Sequence, residues 1–137
     1  MPSTAPDQLL QAFVLQSAST PAGRVQFRHA GGLPVAQATH VLLHGIGSGS
    51  GSWVRQLQAA QGLDDCRVLA WDAPGYGLSP LPADFGIDRC AQSLAALLRH
   101  QGGARNVVMG HSMGGMIAQR AWAHAPELIH GYVLSAT

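Results

Sequence analysis

The feature that most constrains the fold is a G-x-S-x-G sequence at residues 110–114, which separates two different patterns of apolar residues. Residues 106–109 before it form a short apolar run typical of a buried strand, and residues 113–124 after it repeat apolar side chains at helical spacing. A strand that passes directly into a helix must turn sharply, and Ser112 occupies that turn. The sequence therefore predicts a serine at the carboxyl edge of a sheet.

The two glycines of this sequence have a steric reason to be there. A side chain at Gly110 or Gly114, two residues from the serine, would collide with so sharp a turn, whose backbone is strained. The helix that follows directs its first N–H groups, notably that of Met113, toward an oxyanion formed on a substrate that Ser112 attacks. The alternative is a small-residue turn that only lets the helix and the strand pack closely.

Short apolar runs alternate with helical patterns along much of the chain. The apolar runs cover residues 39–44, 67–71, 106–109 and 131–134. The helical patterns cover residues 52–61, 88–101 and 113–124. Short continuous apolar runs suit strands buried on both faces of a parallel sheet, and segments 9–16 and 24–29 predict an antiparallel hairpin before them. We therefore expect an α/β fold, in which an N-terminal hairpin precedes a doubly wound, mostly parallel sheet.

Composition excludes several classes of protein. The 137 residues are 47% hydrophobic and 11% charged with a formal net charge of +1, which fits one folded domain without a nucleic-acid partner. No apolar run is long enough for a membrane span. The first basic residue is Arg24, so we expect no signal peptide and a cytoplasmic protein. Cys66 and Cys90 lack C-x-x-C spacing, which predicts no metal site. Residues 1–8 are expected to be disordered.

Two further loops follow predicted strands. In residues 44–53 glycines alternate with serines, but no G-x-G-x-x-G or G-K-[ST] sequence can be aligned there, so nucleotide binding is the weaker interpretation. A glycine-rich loop at this place can instead present a backbone N–H toward the serine, and that of Ile46 is the best candidate. Residues 71–79 contain a Pro-Gly turn at Gly75 and predict a rigid loop beside the pocket.

Together the three loops resemble those of the α/β-hydrolase fold family. The matching residues follow the third, fourth and fifth strands in the family's order: His44, Gly45, Asp72, Gly75, Gly110, Ser112 and Gly114. The resemblance covers the chain from about residue 9 to its end. Within the family, the loops are similar to those of enol-lactone hydrolases, carbon–carbon bond hydrolases and small esterases, and the motifs do not separate these three groups. The resemblance implies a mixed sheet, a serine that attacks a carbonyl group, a triad in the order serine, acid, histidine, and structural roles for the other six residues.

The acid and the histidine of such a triad have no evident position here, because only 25 residues follow Ser112 in the 137-residue chain. His124 lies twelve residues along the predicted helix, which is about 18 Å away at the rise of an α-helix. Glu127 and His130 precede the last predicted strand, at the opposite edge of the sheet from the serine. None of the three is therefore expected to serve.

Two other histidines follow strands near the serine. His44 lies at a strand end and is a conceivable base, but the resemblance treats it as structural. His111 adjoins Ser112, and because neighbouring residues of a strand point to opposite faces, we expect it to be a packed core histidine.

We therefore expect residues 1–137 to be the N-terminal portion of an α/β-hydrolase domain, truncated after the sixth strand, without a cap region, the later strands, or the triad acid and histidine. The sixth strand, residues 131–134, would then be an exposed apolar edge. Exposed edges of this kind are templates for association, so self-association is a further expectation.

The predicted function is hydrolysis of esters, lactones or related carbonyl compounds through an acyl-enzyme on Ser112, without a cofactor or metal and with little or no activity in this chain alone. The pocket is expected to be largely apolar, from Ile46, Trp53, Tyr76 and Met113, and to suit small uncharged substrates. The alternative is a non-catalytic hydrolase-like module that binds a small ligand or a protein partner through the same pocket.

Overall fold

A computed structural model describes residues 6–32 and 38–137, which form six strands and four helices. The strands are β1 Leu15–Thr20, β2 Gly23–Gly31, β3 Ala38–Leu43, β4 Cys66–Asp72, β5 Asn106–His111 and β6 Gly131–Ser135. The helices are α1 Pro6–Leu10, α2 Val54–Ala60, α3 Ile87–Gln101 and α4 Met113–His124. Short 3₁₀ turns at Ser50–Trp53 and Pro126–Leu128 precede α2 and β6.

The six strands form one mixed sheet in the order β1-β2-β4-β3-β5-β6. β1 and β2 pair antiparallel, β2 pairs antiparallel with β4, and the remaining neighbours run parallel. This arrangement confirms the predicted hairpin followed by a mostly parallel sheet. It also places the carboxyl ends of β3, β4 and β5, and the loops that follow them, along a single edge.

The first strand lies further along the chain than predicted. Segment 9–16 was expected to form it, but β1 begins at Leu15, and residues 17–20, expected to be loop, pair with β2 instead. Alternation explains the difference, because Ala18 is buried between serines and faces the core. Residues 6–8, part of the segment expected to be disordered, begin α1, whereas residues 1–5 lie outside the described part of the chain.

Helices cover both faces of the sheet. α3 and α4 pack on one face, where Leu94 and Ile117 are buried with Phe27 and Trp71 in the larger core cluster. α1 and α2 lie on the other face, where Leu57 packs with the smaller cluster. Within residues 6–32 and 38–137, no helix is both long and apolar enough to span a bilayer.

The sixth strand is an exposed edge, as predicted. Among the described strands β6 pairs with β5 alone, and its side chains Tyr132, Val133 and Leu134 are 40%, 46% and 41% exposed. On the α2 face, Met109 of β5 pairs in register with Val133 and is only partly buried. Three consecutive apolar residues therefore face solvent at this edge.

Candidate active site

Ser112 sits at a strained turn between β5 and α4. Its backbone has φ 52° and ψ −116°, a conformation that costs a non-glycine residue of order 1–3 kcal/mol. The Ser112 N–H donates to the Ser135 carbonyl at 2.9 Å, and the Ser112 carbonyl accepts from the Gly115 N–H at 2.9 Å. The side chain does not cap the helix, so its hydroxyl is not consumed by the turn itself. The strain is therefore held by backbone hydrogen bonds on both sides of the residue.

Gly110 and Gly114 allow this turn to close. A Cβ added at Gly110 would overlap the backbone of Gly114, and a Cβ added at Gly114 would overlap the carbonyl group of Leu43 in β3. Both obstacles are backbone atoms, which cannot rotate away as a side chain can. The collision predicted from the sequence thus involves the neighbouring strand as well as the turn.

The loop after β3 comes into contact with the same turn. A Cβ placed on Gly45 would lie 3.3 Å from the Cβ of Ser112 and 3.3 Å from Cδ2 of His111. Ile46 follows Gly45 and lines the cavity in front of Ser112, with its side chain 76% exposed. The first helical residue on the other side of the serine is Met113, whose N–H belongs to the first turn of α4, where amides have no intrahelical partner.

Both ring nitrogens of His44 are engaged in hydrogen bonds. Nε2 accepts from the Ala73 N–H at 3.0 Å, and Nδ1 lies 2.9 Å from the Gly45 carbonyl, to which it must donate. The ring is therefore neutral and carries its proton on Nδ1. Burial lowers the pKa of His44, although the bond to Gly45 and the charge of Asp72 oppose that shift. With no free nitrogen, His44 ties the β3 loop to the end of β4 and has no lone pair for Ser112.

Asp72 holds the glycine- and serine-rich loop in place. Its buried carboxylate accepts from the Ser50 N–H at 2.8 Å and from the Ser50 hydroxyl at 3.1 Å. Gly77 passes so close that an added Cβ would lie 2.7 Å from Cγ of Asp72. Gly75 adopts φ +89° in the turn that follows β4, and its N–H donates to the Pro80 carbonyl at 3.0 Å. Asp72 and Gly75 thus support the loops beside Ser112 without facing it.

A cavity of about 480 Å³ opens in front of Ser112. Its other lining residues are Gly45, Ile46, Ser48, Ser52, Trp53, His111 and Ser135. The expected apolar lining is therefore only half right. Tyr76 packs against the His44 ring with centroids 4.8 Å apart, and Met113 is buried in the core, so neither lines the cavity. A second cavity of about 630 Å³ reaches Asp72 on the far side of the loop and does not reach Ser112.

His111 lies in the cavity and not in the core, contrary to the prediction. Its side chain is exposed, and Nδ1 lies 3.4 Å from the hydroxyl of Ser135. The prediction assumed that strand alternation continues through Ser112. The positive φ of Ser112 ends that alternation, so both side chains line one cavity. The register pairs His111 with Ser135, and aligning the ends of β5 and β6 in the sequence could have revealed this neighbour.

The remaining candidate histidines are held elsewhere. Nε2 of His124 lies 2.6 Å from the Asp88 carboxylate on the outer side of α3 and α4. Nδ1 of His130 accepts from the Asn106 N–H, at the opposite end of β5 from Ser112. Among residues 6–32 and 38–137, no three His, Cys, Asp or Glu side chains lie together as a metal site would require.

Comparison with known proteins agrees with this geometry. The model of the alpha/beta hydrolase family matches residues 41–137, which include all three loops. Lipase LipV of Mycobacterium tuberculosis (strain ATCC 25618 / H37Rv) is 36% identical over 101 residues, covering 74% of this chain and 38% of the lipase.

Solved structures show the same fold. The N-acyl homoserine lactonase AidH superimposes with a TM-score of 0.78 at 27% identity, covering 90% of this chain and 45% of the lactonase. The epoxide hydrolase VrEH1 from Vigna radiata superimposes with a TM-score of 0.79 at 20% identity, covering 91% of this chain and 40% of the hydrolase. The chain thus spans less than half the length of each of these proteins.

Proposed function

The chain belongs to the alpha/beta hydrolase family, and we propose that it carries the nucleophile of a serine hydrolase that cleaves uncharged esters, lactones or related carbonyl compounds. The observation that carries this proposal is the placement of Ser112 at a strained strand-to-helix turn, facing a cavity of about 480 Å³. Backbone strain of this kind is concentrated at functional sites. A turn needed only for packing would have no reason to hold a serine in it.

The reaction proceeds in two balanced steps. The Ser112 oxygen attacks the substrate carbonyl carbon as a base removes its proton, and the tetrahedral intermediate expels the alcohol, which takes up that proton. Water then attacks the acyl-enzyme as the base removes its proton, and collapse of the second tetrahedral intermediate releases the acid while the Ser112 oxygen takes up that proton. We assign stabilisation of the oxyanion in both steps to the N–H groups of Ile46, in the loop after β3, and of Met113, in the first turn of α4.

The base is assigned to a histidine outside these 137 residues. The ring of His44 is saturated with hydrogen bonds, and His124 and His130 are bonded to distant groups. His111 is directed toward Ser135. The family order of serine, acid and histidine places the two missing groups after the serine. The chain alone is therefore expected to react slowly.

The cavity supports uncharged substrates. None of its lining residues is an aspartate, glutamate, lysine or arginine, so a charged group entering it would lose water without gaining an ionic partner. The similar proteins are consistent with this class, since they include a lipase and a lactonase.

A fluorophosphonate probe, which reacts with activated serines, tests the proposal. We expect a version of the chain that continues downstream of Thr137 to be labelled, and Ser112→Ala to abolish the labelling. Ser19→Ala, the same chemical change at an exposed position in β1, should leave it intact. A labelled extended version beside an unlabelled 137-residue chain would place the missing base downstream.

The competing function is a non-catalytic module that binds a ligand through the same cavity. The engagement of His44, His124 and His130 in other contacts is the observation in its favour. If neither version of the chain is labelled while both are folded, the serine is not activated and the binding function replaces the catalytic one.

A further inference from the structure

The cavity in front of Ser112 has one wall built from the ends of two neighbouring strands. His111 ends β5 and Ser135 ends β6, and the parallel register pairs them directly. Paired residues of neighbouring strands point to the same face of a sheet, and both side chains line the cavity. His111 occupies a variable position of the G-x-S-x-G sequence, and Ser135 lies outside the three loops that resemble those of the family.

This pair retains much of its hydrogen-bonding capacity. Nδ1 of His111 and Oγ of Ser135 are 3.4 Å apart, longer than the ordinary range of about 2.7–3.2 Å. A neutral imidazole offers one donor and one acceptor, and a hydroxyl offers both. Both residues are exposed, so a ligand can replace the water that solvates them. A single hydroxyl group, which donates and accepts, can satisfy the pair at once.

The opposite wall has a different character. It comes from the loop after β3, where Ile46 and Trp53 present apolar surface. The hydroxyl of Ser52 already donates to the Gly49 carbonyl at 2.7 Å, and Ser48 is the hydroxyl on that side for which the described residues show no hydrogen bond. The cavity is therefore polar along the sheet and largely apolar along the loop.

The polar wall borders the reacting atom. Ser112 directly follows His111, about 3.8 Å away between Cα atoms, and its N–H donates to the carbonyl of Ser135 at 2.9 Å. A ligand group bound by the pair would therefore share the cavity with Ser112, on the wall that adjoins it.

We propose that His111 and Ser135 form a polar subsite that selects acyl compounds with a hydroxyl group next to the reacting carbonyl, the rest of the acyl chain lying along Ile46 and Trp53. The inference rests on the proposed role of Ser112, whose substrate class it narrows from uncharged carbonyl compounds to 2-hydroxy esters and the corresponding lactones.

Binding to the Ser112→Ala variant of the version that continues downstream of Thr137 tests the subsite without requiring catalysis. Three inert ligands are compared by nuclear magnetic resonance titration: methyl hexanoate, methyl 2-hydroxyhexanoate and methyl 6-hydroxyhexanoate. We expect the 2-hydroxy ester to bind roughly two- to tenfold more tightly than the other two, as one added hydrogen-bonded group warrants. The 6-hydroxy ester controls for polarity, because its hydroxyl lies at the far end of the chain.

Second-site variants locate the preference within the cavity. Adding Ser135→Ala or His111→Phe to the Ser112→Ala protein should remove the preference for the 2-hydroxy ester. Ser48→Ala, the same loss of a hydroxyl on the opposite wall, should retain it. Thermal unfolding of each variant verifies that it is folded.

Several results would overturn the assignment. One is a folded Ser112→Ala protein that binds none of the three esters, or binds the two hydroxy esters equally well. Another is a preference that survives Ser135→Ala and His111→Phe or disappears with Ser48→Ala. A failure of fluorophosphonate labelling would instead bear on the nucleophile, so the two proposals can fail separately.

Discussion

Gly45 lies against Ser112 so closely that a Cβ added to the glycine would come within 3.3 Å of the serine Cβ. Gly45 belongs to the loop after β3 and Ser112 to the turn after β5, and these two strands are direct neighbours in the sheet. The contact sets the distance between the loop that carries the Ile46 N–H and the proposed nucleophile. The absence of a side chain at residue 45 therefore allows the loop after β3 to approach the turn at Ser112 this closely.

Gly45→Ala is expected to impair reactivity more than stability. The added methyl group must displace the loop or the His111 ring by a few tenths of an ångström, since their separation is tighter than most Cβ contacts. Small displacements of catalytic groups cost large factors in rate, so we expect fluorophosphonate labelling of the extended protein to slow by about tenfold or more.

The matched control for that change is Gly131→Ala, because an added Cβ there meets nothing within 4 Å. Its labelling rate should equal that of the unmodified protein. Equal rates for Gly45→Ala and Gly131→Ala would show that the loop position does not govern the reaction.

Gly114→Ala is expected to destabilise the whole fold. The added Cβ overlaps backbone atoms of Leu43 in the neighbouring strand, so α4 or β3 must move. Overpacking typically costs about 1–3 kcal/mol, and a collision with backbone atoms lies at the upper end of that range, whereas Gly131→Ala should change the free energy of unfolding by less than about 0.5 kcal/mol. Urea unfolding curves measure both. An unchanged midpoint for Gly114→Ala would contradict the close approach of α4 to β3.

The folded protein is expected to lose stability as the pH falls below 6.5. Burial lowers the pKa of His44 and of His29 from that ordinary value. Below pH 6.5 the unfolded chain therefore binds more protons than the folded chain. The free energy of unfolding then declines as the pH falls from 6.5 to the pKa values of these histidines in the folded protein. His44→Gln keeps an acceptor near the Ala73 N–H but cannot titrate, so its unfolding free energy should depend less on pH.

Urea unfolding between pH 7 and about pH 4.5 provides the measurement. This window lies above the range in which Asp84 and Asp88 titrate, because hydrogen bonds to arginine hold their pKa values below 3.8. The double variant that combines His44→Gln with His29→Gln should show the smallest dependence of the unfolding free energy on pH. An identical dependence of the unfolding free energy on pH in all three proteins would mean that neither histidine is buried in its neutral form.

The sequence was most informative where the chemistry of the turn restricts the residues. The G-x-S-x-G sequence located β5, the turn and α4, whose observed bounds Met113–His124 equal the predicted ones. The amino-acid sequence was least informative at β1, because a strand of serine, alanine and threonine at a sheet edge lacks the apolar run that marks buried strands.

The lining of the cavity could not be predicted from residue type alone. Tyr76 and Met113 are apolar and close to the motifs in sequence, yet packing against His44 and burial in the core remove them from the cavity. His111 was misplaced because strand alternation does not extend through a residue with positive φ. Its neighbour Ser135 becomes visible only through the register of β5 and β6.

The exposed edge at β6 is expected to make the 137-residue chain self-associate. Tyr132, Val133 and Leu134 are each at least 40% exposed on an open strand, and every 200 Å² of apolar surface left uncovered forgoes on the order of 5 kcal/mol. Val133→Lys should weaken association, because an edge lysine opposes strand pairing. Leu63→Lys, a similar change at a half-exposed loop position, should not.

Sedimentation velocity and thermal melting of the isolated chain provide the measurement. We expect oligomers, aggregates or a broad, weakly cooperative transition. A compact monomer that melts sharply would contradict the interpretation of this edge.

The most direct test of the account is to identify the atom that carries the acyl group. The extended protein is mixed with p-nitrophenyl acetate, quenched in acid during turnover and digested, and its peptides are analysed by mass spectrometry. We expect an acetyl group on Ser112 that is absent from the Ser112→Ala protein, together with loss of nitrophenol release in that variant. Undiminished hydrolysis by a folded Ser112→Ala protein, or an acetyl group confined to other residues, would contradict it.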